Sequence, residues 1–240
     1  MRGVLGADLV GFHAYDYVRH FLSSCRRIVG VENESGTLFA DGRLAQVDAF
    51  PLGIDYVRYR DAARLPAVRR LVAELGEEKG HEGCKLMLSV ERLDYSKGIP
   101  ERLLAFDAFL DRFPEWRGRV VLVLVTVPSR ENVASYAALK KQVDELVGLI
   151  NGKHSTMDWT PVDYYYRSLP FERLVSLYAA SDVMLVTPLR DGMNLVCKEY
   201  LACHDGGGGA LVLSEMAGAS YELHEALCVN PFDQEGVVDA

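Results

Sequence analysis

Eight residues, Val120 to Val127 (VVLVLVTV), set the strongest limit on the fold. Apart from Thr126 they are all aliphatic, so a strand built from them needs cover on both faces. Parallel sheets with helices packed on each side provide that cover. Other apolar runs that read as strands are Ala7–Phe12, Gln46–Phe50, Lys85–Val90, Val162–Tyr166, Val183–Thr187 and Ala210–Ser214. Between them, helical spacing predicts helices over His13–Cys25, Pro66–Leu75, Pro100–Phe113, Ser129–Ile150, Pro170–Ala180 and 194–203, while Val31–Asp41 reads as a loop or hairpin. Strands alternating with helices predict an α/β fold with a doubly wound parallel sheet, whose ligands collect outside the carboxyl ends of the strands. A strand stopped by Pro51-Leu52-Gly53 marks a hinge, followed by a charged stretch from Arg58 to Glu82.

Composition narrows the function. The 240 residues carry a net charge of −8, which argues against a broad nucleic-acid or anionic-membrane surface, so phosphate binding has to rest on local cations. The longest aliphatic run, Val120–Val125, is too short to span a bilayer, and the N-terminus lacks the apolar core of a signal peptide. Cysteines 25, 84, 197, 203 and 228 form no C-x-x-C pair and read as thiols of a reducing cytoplasm rather than as disulfides or zinc ligands. Neither G-x-G-x-x-G nor G-x-x-x-x-G-K-[ST] occurs. The tetraglycine Gly206–Gly209 reads as a connector, and Tyr164-Tyr165-Tyr166 as sheet packing rather than a base-stacking platform.

Two loops carry the chemistry. In Leu185–Tyr200 (LVTPLRDGMNLVCKEY) a strand, a turn at Asp191-Gly192 and a helix start bring free backbone N–H groups to one point, with Asp191 and Glu199 beside them. In Val90–Gly98 (VERLDYSKG) Arg92 and Lys97 follow a strand on the same sheet edge. Two cations facing a helix N-terminus suit a diphosphate and can stabilise its charge as it leaves. The plainer alternatives are an ordinary βα turn and a pair of solvated surface cations. Arg130 follows the next strand, and His13 follows the first one, where a structural histidine is the commoner case.

GADLVGFHAYDYVRHFLSSC, FPLGID, VERLDYSKGIPERLLAF, VPSRENV, WTPVDYYYRSL and LVTPLRDGMNLVCKEYLAC together resemble the trehalose-6-phosphate synthases of glycosyltransferase family 20, in order and over nearly the whole chain. The resemblance implies a GT-B fold of two Rossmann-like domains. It implies a retaining transfer of glucose from UDP-glucose to glucose 6-phosphate, giving trehalose 6-phosphate and UDP without a metal or other cofactor. Carried over by motif, Arg92 and Lys97 hold the UDP diphosphate, and Asp191, Gly192 and Met193 face the donor glucose. The backbone of Asn194, Leu195 and Val196 caps the phosphates, Glu199 accepts from the ribose hydroxyls, and Leu169 meets the uracil through its backbone. Arg130 binds the phosphate of glucose 6-phosphate, and His13 faces the donor sugar. The implied partners are these small molecules, with no nucleic acid and no membrane, and the assemblies compatible with it are a homo-oligomer or association with a trehalose-phosphate phosphatase.

Residues 1–53 resemble the C-terminal part of the family's N-terminal, acceptor-side domain, and 54–240 its nucleotide-sugar domain, with the family's N-terminal glycine-rich loop and terminal helices lacking. A chain of this extent alone is expected to bind UDP weakly and turn over little. The alternative is an inactive piece or regulatory relative that binds UDP or a sugar phosphate without turnover. Intact Arg92, Lys97, Asp191 and Glu199 favour descent from an active enzyme.

Overall fold

The chain divides at Gly53 into two units, Met1–Gly53 and Ile54–Ala240, in the computed structural model, which describes residues 1–77, 83–130 and 132–240. The end of the charged stretch, 78–82, and residue 131 of the VPSRENV motif lie outside the described residues.

The first unit holds β1 (Leu9–Phe12), α1 (Tyr15–Ser24), β2 (Asn33–Glu34), β3 (Thr37–Ala40) and β4 (Arg43–Ala49). Its sheet order is β1-β4-β3-β2; β1 runs parallel to β4, and the other pairs are antiparallel. The stretch read as loop or hairpin is thus a hairpin. Gly36 makes it possible: its φ is +83°, and a Cβ there would stand 2.8 Å from the Val47 carbonyl oxygen. Leu5, Val18, Cys25, Leu38 and Val47 form this unit's core.

The second unit begins with α2 (Tyr56–Arg64) and α3 (Pro66–Glu77). Apolar spacing gives no sign of α2, because four of its nine residues are charged and only Ala62 is buried. A local cap nevertheless starts it, with Asp55 accepting from the Arg58 amide. There follow β5 (Lys85–Arg92), α4 (Ile99–Arg112), β6 (Val120–Val127), α5 (Ala134–His154), β7 (Val162–Tyr166), α6 (Phe171–Ala180), β8 (Val183–Val186), α7 (Val196–Cys203), β9 (Ala210–Ser214), β10 (Leu227–Val229) and α8 (Gln234–Asp239). The last strand and helix are too short to stand out in the sequence. α5 starts five residues later than its apolar spacing predicts, because Arg130 takes a left-handed conformation at φ 48°. α7 starts two residues late for the same reason, at Asn194 with φ 72°.

All six strands run parallel in the order β10-β9-β8-β5-β6-β7. Residues 120–126 are buried on both faces, as the aliphatic run requires. The chain leaves β5 toward β6 and β7, then returns to β8 on the other side of β5. That reversal is the topological switch point of a doubly wound sheet, where the loops after two adjacent strands diverge and leave a crevice. No helix among the described residues is long and apolar enough to cross a membrane, and all five cysteines are free.

Burial sets a pH limit on this unit. It pushes the Tyr59 and Tyr200 phenols up from 10.0 to about 12, and the Cys197 and Cys203 thiols up from 9.0 to about 12. Between the unfolded and folded values the unfolded chain has released protons that the folded chain retains. Stability from these groups is therefore complete below pH 9.0 and is lost as pH rises from there toward about 12. Urea midpoints measured at intervals across that window should fall steadily; a flat profile up to pH 12 contradicts the burial of these groups.

Candidate functional site

The loops after β5 and β8 meet over the switch point. The amides of Leu189 and Arg190 both donate to the Ser96 carbonyl, at 2.8 and 3.2 Å. Gly98 permits this approach: its φ is +65°, and a Cβ there would lie 2.5 Å from the Thr187 carbonyl oxygen. The resulting contact is an ion pair, Lys97 Nζ to Asp191 Oδ2 at 2.5 Å, with side chains only 15% and 14% accessible. Lys97 thus has a carboxylate partner inside the site, where the sequence alone presents it as a bare cation. Arg92 is the last residue of β5 rather than part of the loop, and it is exposed, with no ion pair among the described residues.

Asp191 is itself held from several sides. Its Oδ1 accepts from the Met193 amide at 3.3 Å and its Oδ2 from Asn194 Nδ2 at 3.2 Å. Its backbone bridges to the turn at Ala217, donating to Met216 and accepting from Gly218. Met193 is 4% exposed, its amide donates to Asp191 and its carbonyl accepts from Ala219, so its side chain belongs to the core. Gly192 lies against Gly218, at which a Cβ would stand 2.1 Å from the Gly192 carbonyl oxygen. Asn194 caps α7 by accepting from the Cys197 amide. The amides of Leu195 and Val196 have no acceptor among the described residues. A helix N-terminus with two such donors, next to the Lys97–Asp191 pair, is suited to a phosphate group.

Glu199, on α7, accepts from the Tyr178 hydroxyl at 2.8 Å, and its charge, after burial, helps to raise the Tyr59 phenol. Burial, and then the adjacent Glu199 carboxylate, raise the Tyr178 phenol well above its ordinary value. These tyrosines escape a reading from sequence, because in LVSLYAA a helical tyrosine is indistinguishable from core packing. Leu169 sits half-buried beside a groove of about 490 Å3 that reaches from the carboxyl end of β7 down the sheet face. Arg130 is exposed, and its Nη1 donates to the Tyr136 hydroxyl at 3.0 Å. His13 belongs to the first unit, at the end of β1, where its Nδ1 lies 3.5 Å from the Phe50 carbonyl oxygen.

Beneath the Lys97 loop lies a buried charge network. Arg102, 2% exposed, pairs with Glu91 and donates to Thr187 Oγ1 at 2.9 Å, Ser89 Oγ at 2.5 Å and the Lys97 carbonyl at 3.0 Å. Burial raises the Glu91 carboxyl and Arg102 opposes that shift. The sequence signal for it is an arginine one turn before Phe106 on the apolar face of α4. Among the described residues, Asp107, Asp111 and His154 have metal-ligand spacing, but Lys153 already bridges both carboxylates.

The profile of glycosyltransferase family 20 matches residues 1–240. The 56 kDa subunit of the UDP-forming α,α-trehalose-phosphate synthase of Saccharomyces cerevisiae is 48% identical over all 240 residues, which is 48% of its own length. A Burkholderia xenovorans α,α-trehalose-phosphate synthase (UDP-forming) in complex with glucose-6-phosphate superposes with a TM-score of 0.94 at 34% identity, over 99% of this chain and 53% of that one. An E. coli structure bound with UDP-2-fluoro glucose gives a TM-score of 0.91 at 38% identity, over 97% and 51%. The chain therefore spans about half the length of the relatives it matches. Its fold is of the GT-B type, and it belongs to glycosyltransferase family 20.

Proposed function

We propose that this chain supplies the nucleotide-sugar site of a retaining glucosyltransferase that moves glucose from UDP-glucose to glucose 6-phosphate, forming trehalose 6-phosphate and UDP. The observation that carries this reading is the Lys97–Asp191 pair at the switch point, next to the open amides of Leu195 and Val196. The names of the relatives supply the chemistry: UDP-forming synthases, one with glucose-6-phosphate bound.

On this reading Ile54–Ala240 is the nucleotide-sugar domain and Met1–Gly53 part of the acceptor-side domain. The diphosphate lies between Arg92 and the N-terminus of α7. Its arrival gives Lys97 a second anion to pair with and leaves Asp191 to the sugar hydroxyls. Side-chain cations and helix amides, fixed before the reaction, stabilise charge on the leaving phosphate without a metal. That phosphate takes the proton of the attacking hydroxyl on the same face, so no side-chain base is needed. Gly192 and the backbone of Met193 line the sugar, Asn194 fixes the turn, Glu199 accepts from the ribose, and the Leu169 backbone meets the uracil. Arg130 takes the phosphate of glucose 6-phosphate, and the role carried over by motif to His13 is contact with the donor sugar. A cytoplasmic location fits the five free thiols.

The test is Asp191→Asn, titrated with UDP-glucose and with UDP. The expected result is a loss for UDP-glucose of about tenfold or more, the scale of one hydrogen bond to a charged group, and a smaller loss for UDP. The reverse order moves Asp191 from the sugar to the nucleotide.

A further inference from the structure

Arg130 is one of four non-glycine residues with positive φ among the described residues, at 48°. Arginine gains nothing locally from that conformation, which costs about a kilocalorie or more per mole and persists only where the surroundings enforce it. Here the enforcement is visible. The Arg130 carbonyl accepts from the Val133 amide at 2.9 Å, and among the described residues its guanidinium donates to one partner, the Tyr136 hydroxyl. The Tyr136 side chain is otherwise core, 3% exposed at the first turn of α5.

The Tyr136 hydroxyl has one proton, which it donates to Asp94 Oδ2 at 2.9 Å, leaving its lone pair to accept from Arg130. The other Asp94 oxygen accepts from the Ser96 amide at 2.9 Å and the Ser96 hydroxyl at 2.7 Å. Burial pushes the Asp94 carboxyl up, but the Ser96 donors, Tyr136 and Lys97 outweigh it and hold the group below its ordinary 3.8. Asp94 is therefore an anion at neutral pH, and the direction of each hydrogen bond is set by it. One continuous set of bonds links Arg130, after β6, to the Ser96–Lys97 turn, after β5.

We propose that Tyr136 is a positioning residue: its hydroxyl orients the Arg130 guanidinium toward the acceptor phosphate and couples it, through Asp94, to the loop that holds the donor diphosphate. This rests on the reading of Arg130 as the acceptor-phosphate residue. Tyr136 touches neither substrate. Its hydroxyl fixes a flexible, exposed arginine in advance, so less side-chain freedom is lost when a sugar phosphate binds. The coupling gives acceptor and donor a shared element: ordering of the Ser96–Lys97 turn by UDP also fixes Asp94, Tyr136 and Arg130.

The experiment compares the chain with Tyr136→Phe and Arg130→Ala by calorimetric titration of glucose 6-phosphate, alone and with saturating UDP, and of UDP alone. Phenylalanine keeps the buried ring and removes only the hydroxyl. Tyr136→Phe is expected to weaken glucose 6-phosphate by about tenfold, the scale of one hydrogen bond to a charged group. It should also abolish any gain in glucose 6-phosphate affinity that UDP produces, while UDP alone changes by less than about twofold. A merely structural role would weaken both ligands together. If Arg130→Ala weakens glucose 6-phosphate and Tyr136→Phe does not, the positioning role is wrong and the reading of Arg130 stands. If Arg130→Ala has no effect, or the chain binds no glucose 6-phosphate, the reading of Arg130 itself fails and the proposal fails with it.

Discussion

Arg102→Ala is expected to destabilise the second unit by about 3–5 kcal/mol, the cost of removing one partner from a buried ion pair. Glu91 is 9% exposed, and its Oε2 already lacks a partner. Without Arg102 the carboxylate keeps its desolvation cost and loses the compensating charge. The bonds to Thr187, Ser89 and the Lys97 carbonyl go as well. For a unit of this size, such a loss lowers the melting temperature by roughly 6–20 °C. Thermal melts of Arg102→Ala and of a double variant, Arg102→Met with Glu91→Leu, separate the pair from the space it fills. The double variant removes both charges, so it should recover most of the lost stability. A single variant within about 1 kcal/mol of the parent would show that Glu91 is not held as a buried anion by Arg102.

The second large effect is on binding. Arg92→Ala should weaken UDP by about 1.5–3 kcal/mol, the value of a hydrogen bond to a charged group, or roughly 10- to 150-fold in Kd. Arg92 is exposed and unpaired among the described residues, so its removal leaves no buried group stranded, and folding should be little changed. Lys97 differs because its charge is already engaged by Asp191. Of the two cations, Arg92 brings the uncompensated charge to the diphosphate. Calorimetry on parent and variant reads this directly. Unchanged UDP affinity in Arg92→Ala would remove this residue from the phosphate site.

The parallel sheet was legible because its signal is strong. An aliphatic run such as Val120–Val127 can be buried on both faces only in a covered sheet, and Val162–Tyr166 and Ala210–Ser214 lie where their apolar pattern puts them. Helix starts were less legible, because single residues decide them. Arg130 and Asn194 adopt left-handed backbone that apolar spacing does not report. The charged α2 was hidden because its stability comes from a cap and from packing on distant elements. Within the site, residues adjacent in sequence to a turn or strand end could be named. Their partners could not: Glu91 with Arg102, and Tyr178 with Glu199, are brought together by the fold across 11 and 21 positions. Asp94 is the exception, because Asp-x-Ser, in which the carboxylate accepts from the amide two residues on, is a readable local turn.

On the proposed function, UDP binds at the crevice between the carboxyl ends of β5 and β8, with its diphosphate at the start of α7. The most direct measurement is a map of backbone 1H–15N chemical-shift changes as UDP is added to the chain. Saturable changes are expected that are largest at the amides of Leu195 and Val196 and along Ser96–Gly98, and that are reduced in Arg92→Ala. Saturable changes confined to other surfaces, with Leu195, Val196 and Ser96–Gly98 unmoved, would contradict it.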